Sequence, residues 1–292
     1  MQLLINTLLS GLTLGAVFAA FALALVMIWR STRIVNFAQA PMAMVTTYIA
    51  LVIIDAGYSY WLGFVAALAS GIVLGAVIER LVIRRVDASS QINPVILTLG
   101  LFIVLHSLAA IVFGSRFRSF PAPFGLRGFQ IGDTTIALTG FGVFTLLAVV
   151  VTMGGLVLLF QRTDLGLTMR ASAFNPEVAR LLGVRVGRTL TLGWALASLV
   201  GSLSGLLIAG GGLVHPSYMD SVVVYGFVAA VLGGLDSPAG AVVGGVSLGL
   251  ALSVVRGYAG SELVPLAALL ILVVVLLARP GGLFSTVAAR RV

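Results

Sequence analysis

The stretch INTLLSGLTLGAVFAAFALALVMI, residues 5–28, contains no charged side chain and is followed directly by Trp29 and Arg30. As a helix it is long enough to cross a hydrocarbon core of about 30 Å, which takes roughly 20 residues. It lacks the positive leading segment and the small-residue cleavage pattern of a secretory signal. We therefore interpret it as a retained membrane span.

Similar apolar runs continue along the whole chain of 292 residues. They cover residues 34–54, 60–83, 94–113, 136–160, 189–212, 222–234, 239–257 and 263–278. The run 222–234 is short for a complete crossing and ends in two glycines, so it could be a half-helix or a re-entrant segment. The sequence predicts an all-α, polytopic membrane helical bundle of eight or nine spans, in a single domain covering residues 1–292.

Composition narrows the chemistry that this chain can perform. Hydrophobic residues make up 60% and charged residues 9%, whereas charged residues approach about a quarter of a soluble domain. All 17 basic residues are arginine and there is no cysteine. Without lysine there is neither a nucleotide-binding P-loop nor Schiff-base chemistry, and without cysteine there is no thiolate site. We expect a non-enzymatic chain without cofactor or metal, in which any ATP hydrolysis belongs to a partner.

The arginines predict the orientation, because short arginine-rich connections stay on the cytoplasmic side. If nine spans are threaded with the N-terminus outside, most arginines fall inside. Those inside are Arg30, Arg33, Arg80, Arg84, Arg85, Arg162, Arg170, Arg180, Arg185, Arg188, Arg279, Arg290 and Arg291. We predict an external N-terminus and a cytoplasmic C-terminus. The arginine excess then reflects topology and gives no reason to expect nucleic acid as a partner.

The longest arginine-rich connection, residues 161–188, contains its own helix signal. Asn175 can cap a helix, Pro176 fits the first helical position, and Glu177 favours the positive end of the helix. Gly183 fits the position that ends a helix. The segment PEVARLLG is thus predicted to form about two turns. It presents an apolar stripe beside Arg180, formed by Val178, Leu181 and Leu182.

A helix this short needs a surface to pack on. One alternative is the membrane face of the chain itself, with the arginines meeting anionic lipid. The other is a cytoplasmic protein that binds the stripe. The residues alone leave both open.

Several polar residues inside the apolar runs are candidates for function. Asn36 and Gln39 are three residues apart and predicted on one helix face, where they contact either a neighbouring helix or the transport pathway. His106 lies in the middle of the fourth run, as a packing residue or as a functional ionisable group.

The segment GGLDSPAG, residues 233–240, predicts a helix break. Asp236 and Ser237 could recapture the backbone groups freed there. The segment is either a helix break alone or, more specifically, a gating hinge formed by Gly233, Gly234, Asp236 and Ser237. Farther along, Gly240, Gly244, Gly245 and Gly249 have the spacing of a close helix contact.

Four motifs are spread across nearly the whole chain. They are RIVNFAQAPMAMVTTYIA near the second span, TDLGLTMRASAFNPEVARLLGVRVGR in the long connection, AAVLGGLDSPAGAVVGG, and the ending RPGGLF. In sequence and in order, these motifs resemble the permease subunits of branched-chain amino-acid ABC importers, the LivH type. The chain departs from the family pattern at Gln39, Ala40 and Pro41.

This resemblance implies the inner-membrane component of a binding-protein-dependent importer of branched-chain or related small amino acids, in a bacterial cell membrane. Two permease subunits, a related pair or two copies, would form the pathway with two cytoplasmic ATPases and an extracytoplasmic binding protein. The short helix would then be the coupling helix that contacts the ATPase. Its contact residues would be Glu177, Arg180, Leu181, Leu182 and Gly183.

The alternative is a secondary transporter or channel for a small solute that works without ATP. A secondary transporter needs an ion-coupling carboxylate deep in the membrane, but the nine acidic residues all fall at span ends or in connections. A channel needs a repeated filter motif or a ring of charge, and neither is evident.

Overall fold

A computed structural model describes residues 2–86, 92–131 and 134–284 of the chain. The helices are α1 (Gln2–Thr32), α2 (Gln39–Asp55), α3 (Tyr60–Leu81), α4 (Ile92–Phe113), α5 (Gly140–Arg162), α6 (Asp164–Phe174), α7 (Pro176–Leu181), α8 (Val186–Ala209), α9 (Asp220–Gly233), α10 (Pro238–Tyr258) and α11 (Val264–Ala278). The strands are β1 (Arg118–Ser119), β2 (Gly128–Ile131), β3 (Thr134–Thr139) and β4 (Leu213–Val214). The predicted helical membrane bundle is confirmed.

Apart from α6 and α7, the helices run alternately between two ends of the bundle. We call one end the arginine-rich face, where α1, α3, α5, α9 and α11 end and where α6 and α7 lie. The opposite end is the hairpin face, which carries the β2–β3 hairpin and the short antiparallel β1–β4 pair. At that face the Arg118 guanidinium donates to Asp55 Oδ2 at 2.8 Å, and the Ala137 amide donates to Asn6 Oδ1 at 2.9 Å.

The core of the bundle is formed by α1 and α8. In the most apolar 18-residue stretch of α1, 83% of the residues are buried, and in that of α8, 78% are buried. Across the described residues, seven helical segments are long and apolar enough to span a membrane, while α2 and α9 are shorter. The remaining helices surround α1 and α8, so α4 and α11 present broad apolar surfaces to the outside of the bundle.

Helix α9 corresponds to the apolar run 222–234, which the sequence predicts to be a short or broken segment. Its 14 residues cover about 21 Å at 1.5 Å per residue, less than the roughly 30 Å hydrocarbon core. It is preceded by a non-helical segment that leads from β4 at the hairpin face. Because α10 begins at the arginine-rich face, the chain crosses the bundle here and does not return to the face it came from.

Two predicted boundaries were wrong. The apolar run 136–160 begins as strand β3, which pairs with β2, and α5 starts only at Gly140, where the Thr139 hydroxyl caps it by accepting from the Gly142 amide at 2.9 Å. The second span starts at Gln39 because Asn36 folds the preceding chain into a turn: its Oδ1 accepts from the Ala38 amide at 3.1 Å. Side-chain bonds of this kind compete with helix formation.

The predicted glycine contact in α10 is confirmed, although its four glycines meet two different helices. A Cβ on Gly245 would lie 2.3 Å from Ala19 Cα, and one on Gly249 would lie 2.2 Å from Gly15 Cα, both in α1. Gly240 and Gly244 instead pack against the end of α9. The α1–α10 contact, which we call the glycine seam, therefore brings the two backbones together without intervening side chains.

Candidate functional site

The short helix of the long connection forms as the sequence predicts. Asn175 Oδ1 accepts from the amides of Glu177 and Val178, both at 3.1 Å, and Pro176 occupies the first turn. Beyond the last turn, Gly183 has a φ of +85°. The Gly183 amide donates to Arg180 O at 3.0 Å and the Val184 amide to Ala179 O at 2.9 Å. This pair of bonds is a Schellman motif, so both ends of α7 are fixed by local bonds.

An apolar patch formed by the last residue of α6 and by residues of α7 and its C-cap points away from the bundle. Exposed fractions are 93% for Phe174, 87% for Leu181, 77% for Leu182 and 48% for Val178, and we call these four residues the α7 patch. Ala179, on the other side of the helix, is buried. The stripe therefore does not pack on the chain's own spans. A large exposed apolar surface marks a site for a protein partner or a membrane.

The preceding helix α6 fixes α7 to the bundle. The sequence did not predict α6. At the sharp corner between α5 and α6, a Cβ on Gly166 would lie 2.3 Å from Phe160 O. The Arg170 guanidinium donates to the same Phe160 O at 2.6 Å, at the carboxyl end of α5. The Thr189 hydroxyl on α8 meets the Ser172 hydroxyl on α6 at 3.0 Å. A displacement of α7 would therefore be transmitted to α5 and α8.

A buried carboxylate holds the start of α8 against the end of α3. Glu79 is 1% exposed, and Arg84 meets it with two bonds, Nε to Oε1 at 3.0 Å and Nη2 to Oε2 at 2.8 Å. Arg84 also donates to Gly187 O at 2.5 Å. The Thr191 hydroxyl lies 2.6 Å from Glu79 Oε2. Because such charge-assisted, two-pronged bonds are strong and directional, this cluster fixes the chain directly after the long connection.

Removing the guanidinium of this cluster should destabilise the fold. In Arg84→Met, the Glu79 carboxylate stays buried and, among the described residues, keeps only the Thr191 hydroxyl as a partner, which we expect to lower the free energy of unfolding by about 1–3 kcal/mol. The matched control is Arg85→Met, because Arg85 is exposed and has no hydrogen bond or ion pair within the described residues. Thermal unfolding in detergent measures the difference, and equal melting temperatures for the two variants would contradict the assignment.

The predicted helix break, residues 233–240, lies at the arginine-rich face. There the ends of α1 and α9, the start of α10 and the segment after α11 meet. Gly234 has a φ of +99°, and Ser237 Oγ accepts from the Gly240 amide at 2.9 Å, as predicted. Within the part of the chain that the structure describes, Asp236 does not bind backbone groups. Its carboxylate instead accepts from Trp29 Nε1 at 3.2 Å and pairs with Arg33, because a cation is the stronger partner.

The segment after α11 closes this corner. The Leu283 amide donates to Leu232 O at 2.9 Å and the Phe284 amide to Gly233 O at 3.2 Å. A Cβ on Gly282 would lie 2.5 Å from Gly234 Cα. Two of the quoted motifs, GGLDSPAG and RPGGLF, are therefore in contact. Movement at Gly233 or Gly234, the predicted hinge, would have to break these bonds, and the hinge role stays a prediction.

Of the predicted polar residues of the spans, Asn36 and Gln39 lie together and His106 lies apart from them. Asn36 and Gln39 are fully buried; Asn36 Nδ2 donates to Gln39 Oε1 at 3.0 Å, and Gln39 Nε2 donates to Ala197 O of α8 at 3.1 Å. These bonds connect α2 to α8, although Asn36 precedes α2. His106 Nε2 lies 3.2 Å from Ser217 Oγ, toward the hairpin face. A role of these residues in a pathway stays a prediction.

Comparison with known proteins identifies the family. The family model described as "Branched-chain amino acid transport system / permease component" matches residues 7–279. The chain belongs to this family. It is a multi-span membrane permease of the ABC-importer type, a class of protein found in the bacterial inner membrane.

Three relatives illustrate how far the similarity extends. The high-affinity branched-chain amino acid transport system permease protein LivH of Escherichia coli is 28% identical over 94% of this chain and 94% of its own length. BraD of Pseudomonas aeruginosa, a permease protein with the same description, is 30% identical over 96% and 95%. The galactose/methyl galactoside import permease protein MglC of Escherichia coli is 30% identical over 63% of this chain and 53% of its own length. Relatives named for different solutes thus share parts of this permease.

Several residues of the site were not predicted from the sequence. Phe174 is the most exposed member of the α7 patch. Its position directly before the capping residue Asn175 is the sequence signal from which it could have been predicted. Glu79 and Arg84 are five residues apart across a helix end. No local pattern shows that this pair binds the start of α8.

Proposed function

We propose that this chain is the membrane-spanning subunit of an ATP-driven importer for branched-chain or related small amino acids. It forms the translocation pathway as a single permease domain and hydrolyses no ATP itself. The observation that carries the proposal is the α7 patch, in which four exposed apolar side chains lie on and beside a capped, tethered helix at the arginine-rich face. Family membership and the relatives named for branched-chain amino acids support the substrate class.

The α7 patch is the coupling surface for a cytoplasmic ATP-binding subunit. Leu181 and Leu182 enter a cleft of that partner, Glu177 and Arg180 flank them with charge, and Gly183 ends the helix. When the ATPase pair closes on ATP, α7 is pushed and α6 passes the displacement to α5 and α8. The spans then shift between inward-open and outward-open states.

The remaining partners follow from this arrangement. A second permease subunit, a related chain or another copy, completes the membrane part, and an extracytoplasmic binding protein delivers the amino acid at the hairpin face. The N-terminus lies outside and the C-terminus lies in the cytoplasm of a bacterial cell. The positive-inside rule supports this orientation, because α6, α7 and most arginines share one face.

Reconstitution with the partners tests the proposal. The tagged chain should co-purify with an ATP-binding protein encoded beside it, and the complex in lipid should hydrolyse ATP faster when a leucine-loaded binding protein is added. The empty binding protein and galactose are the controls for solute specificity. A chain that purifies alone and moves leucine without ATP would overturn the proposal in favour of a secondary transporter or channel.

A further inference from the structure

A cavity of about 370 Å³ lies at the arginine-rich face, between the last turns of α1 and α5, the first turns of α8 and α10, and helix α6. Helix α5 runs along the outside of the bundle, since only 17% of its most apolar stretch is buried. Val157 of α5 lines the cavity and is 51% exposed, and its neighbour Leu158 is 62% exposed. The cavity therefore reaches the outer surface of the bundle.

Apolar side chains form the deep walls of this cavity. They include Leu23, Met27, Met153, Leu156 and Phe160. Along α1 the lining runs from Leu23 to Ser31, and along α5 it runs from Met153 to Gln161. At 1.5 Å per residue each of these stretches covers about 12 Å. The cavity thus extends from the end of the bundle well into its apolar part.

The groups at the mouth of the cavity are cationic or polar. Within the described part of the chain, the exposed Arg30 forms no hydrogen bond or ion pair. Arg170 donates through Nη1 to Phe160 O at 2.6 Å, and its Nε and Nη2 have no partner among the described residues. The Gln161 amide is exposed beside them. These groups are available to an anion at the mouth.

Negative charge does not compensate these arginines. Among the described residues that line the cavity, none is acidic. Asp236, just before the lining residues of α10, is already paired with Arg33 and with Trp29 Nε1. The mouth therefore carries net positive charge.

An anionic phospholipid has the chemistry that this cavity fits. Its phosphate can accept paired bonds from a guanidinium, and an acyl chain gives the apolar walls the contacts that an empty space denies them. Basic pockets between the helices of a membrane protein bind anionic headgroups in this way. A small soluble anion would use the mouth but would leave the deep walls without a partner.

We propose that this cavity, which we call the lipid pocket, binds one anionic phospholipid from the leaflet at the arginine-rich face. Arg30 and Arg170 bind the phosphate, and an acyl chain lies between Met27 of α1 and Met153 of α5.

The bound lipid also stabilises the position of α6. Met169, Ser172 and Ala173 of α6 line the lipid pocket, and Arg170 is one of the side chains that fix α6 to α5. A lipid in the pocket therefore packs α6 against α1 and α5. Because α6 carries α7, anionic lipid should strengthen coupling to the ATPase. This last consequence rests on the proposed function, whereas the lipid pocket itself does not.

Lipid titration of the purified full chain in mild detergent tests the pocket. Phosphatidylglycerol and phosphatidylcholine with the same acyl chains are added separately, and native mass spectrometry counts the molecules that stay bound. We expect the chain to retain one phosphatidylglycerol at concentrations at which phosphatidylcholine is lost. Inorganic phosphate should not displace it.

Two pairs of variants locate the bound lipid. Arg30→Gln should weaken phosphatidylglycerol binding by about fivefold, because one cation near the headgroup is lost. Its matched control is Arg162→Gln, since Arg162 is exposed at the end of α5 and does not line the pocket. Val157→Trp fills the pocket from its outer wall and should abolish lipid retention. Val151→Trp should not, because Val151 is 70% exposed on the same helix and lies outside the pocket.

Several results would overturn the lipid pocket. One is equal retention of the two lipids by the native chain, and another is an equal loss in Arg30→Gln and Arg162→Gln, which would show only a general attraction of this face for anions. Displacement by inorganic phosphate would assign the mouth to a free anion. Unchanged lipid retention in a Val157→Trp chain that no longer pairs with a second permease subunit would assign the wall to a protein interface.

Transport in vesicles tests the link to α6. ATP-driven leucine uptake by the complex should be faster in vesicles that contain phosphatidylglycerol than in pure phosphatidylcholine, and Arg30→Gln should lose this increase. Equal uptake in both kinds of vesicle would overturn the link. Absence of ATP-driven uptake in both, with lipid retention intact, would instead count against the proposed function and leave the lipid pocket supported.

Discussion

A chain carrying Leu181→Asp together with Leu182→Asp is expected to fold in the membrane and to lose its ATPase partner. Both side chains are more than three-quarters exposed, so the substitutions remove no contact within the chain. At a docked interface they would replace two buried leucines by two desolvated carboxylates. Because a carboxylate buried without a partner costs several kcal/mol, we expect binding weaker by at least about 100-fold.

Two measurements separate this result from a folding defect. Co-purification of the ATPase should fail, while the melting temperature of the variant in detergent should stay that of the native chain. Leu213→Asp, an exposed leucine at the hairpin face, is the control and should retain the ATPase. If the double variant instead fails to insert or melts early, the α7 patch packs on lipid and the coupling assignment is wrong.

The substitution Gly249→Leu should strongly destabilise the bundle. Even a Cβ at this position would lie 2.2 Å from Gly15 Cα and 2.8 Å from Gly11 O. The backbone of α1 cannot move aside as a flexible side chain could, so α1 and α10 must separate. Overpacking of this kind costs about 1–3 kcal/mol and occasionally more, and it would also open the glycine seam.

Gly154→Leu is the matched control for this prediction. It makes the same substitution on α5, where an added Cβ meets nothing within 4 Å. We expect Gly249→Leu to accumulate poorly or to melt well below the native protein, and Gly154→Leu to behave like the native protein. Similar melting temperatures for the two variants would show that α1 and α10 are not in backbone contact.

Features that depend on local chemistry could be predicted from the sequence. The caps of α7 at Asn175, Pro176 and Gly183 act within a few residues of themselves, so the pattern alone places both ends of the helix. The apolar runs predict the spans in the same way, because a helix in lipid must form all its backbone hydrogen bonds within its own segment.

Features that depend on long-range contacts could not be predicted. Strand β3 is as apolar as a helix start, and only its pairing with β2 makes it a strand. Helix α6 carries few apolar-periodic signals and depends on its bonds to α5 and α8. The glycine seam between α1 and α10 depends on which helices are neighbours, and the sequence does not show this.

The measurement we would make first is leucine uptake into vesicles that contain the chain, its ATP-binding partner and a loaded binding protein. We expect uptake against a gradient that needs ATP, and that stops when Leu181→Asp and Leu182→Asp are introduced together. Uptake that continues without ATP, or that is unaffected by this pair of substitutions, would contradict an importer driven through α7.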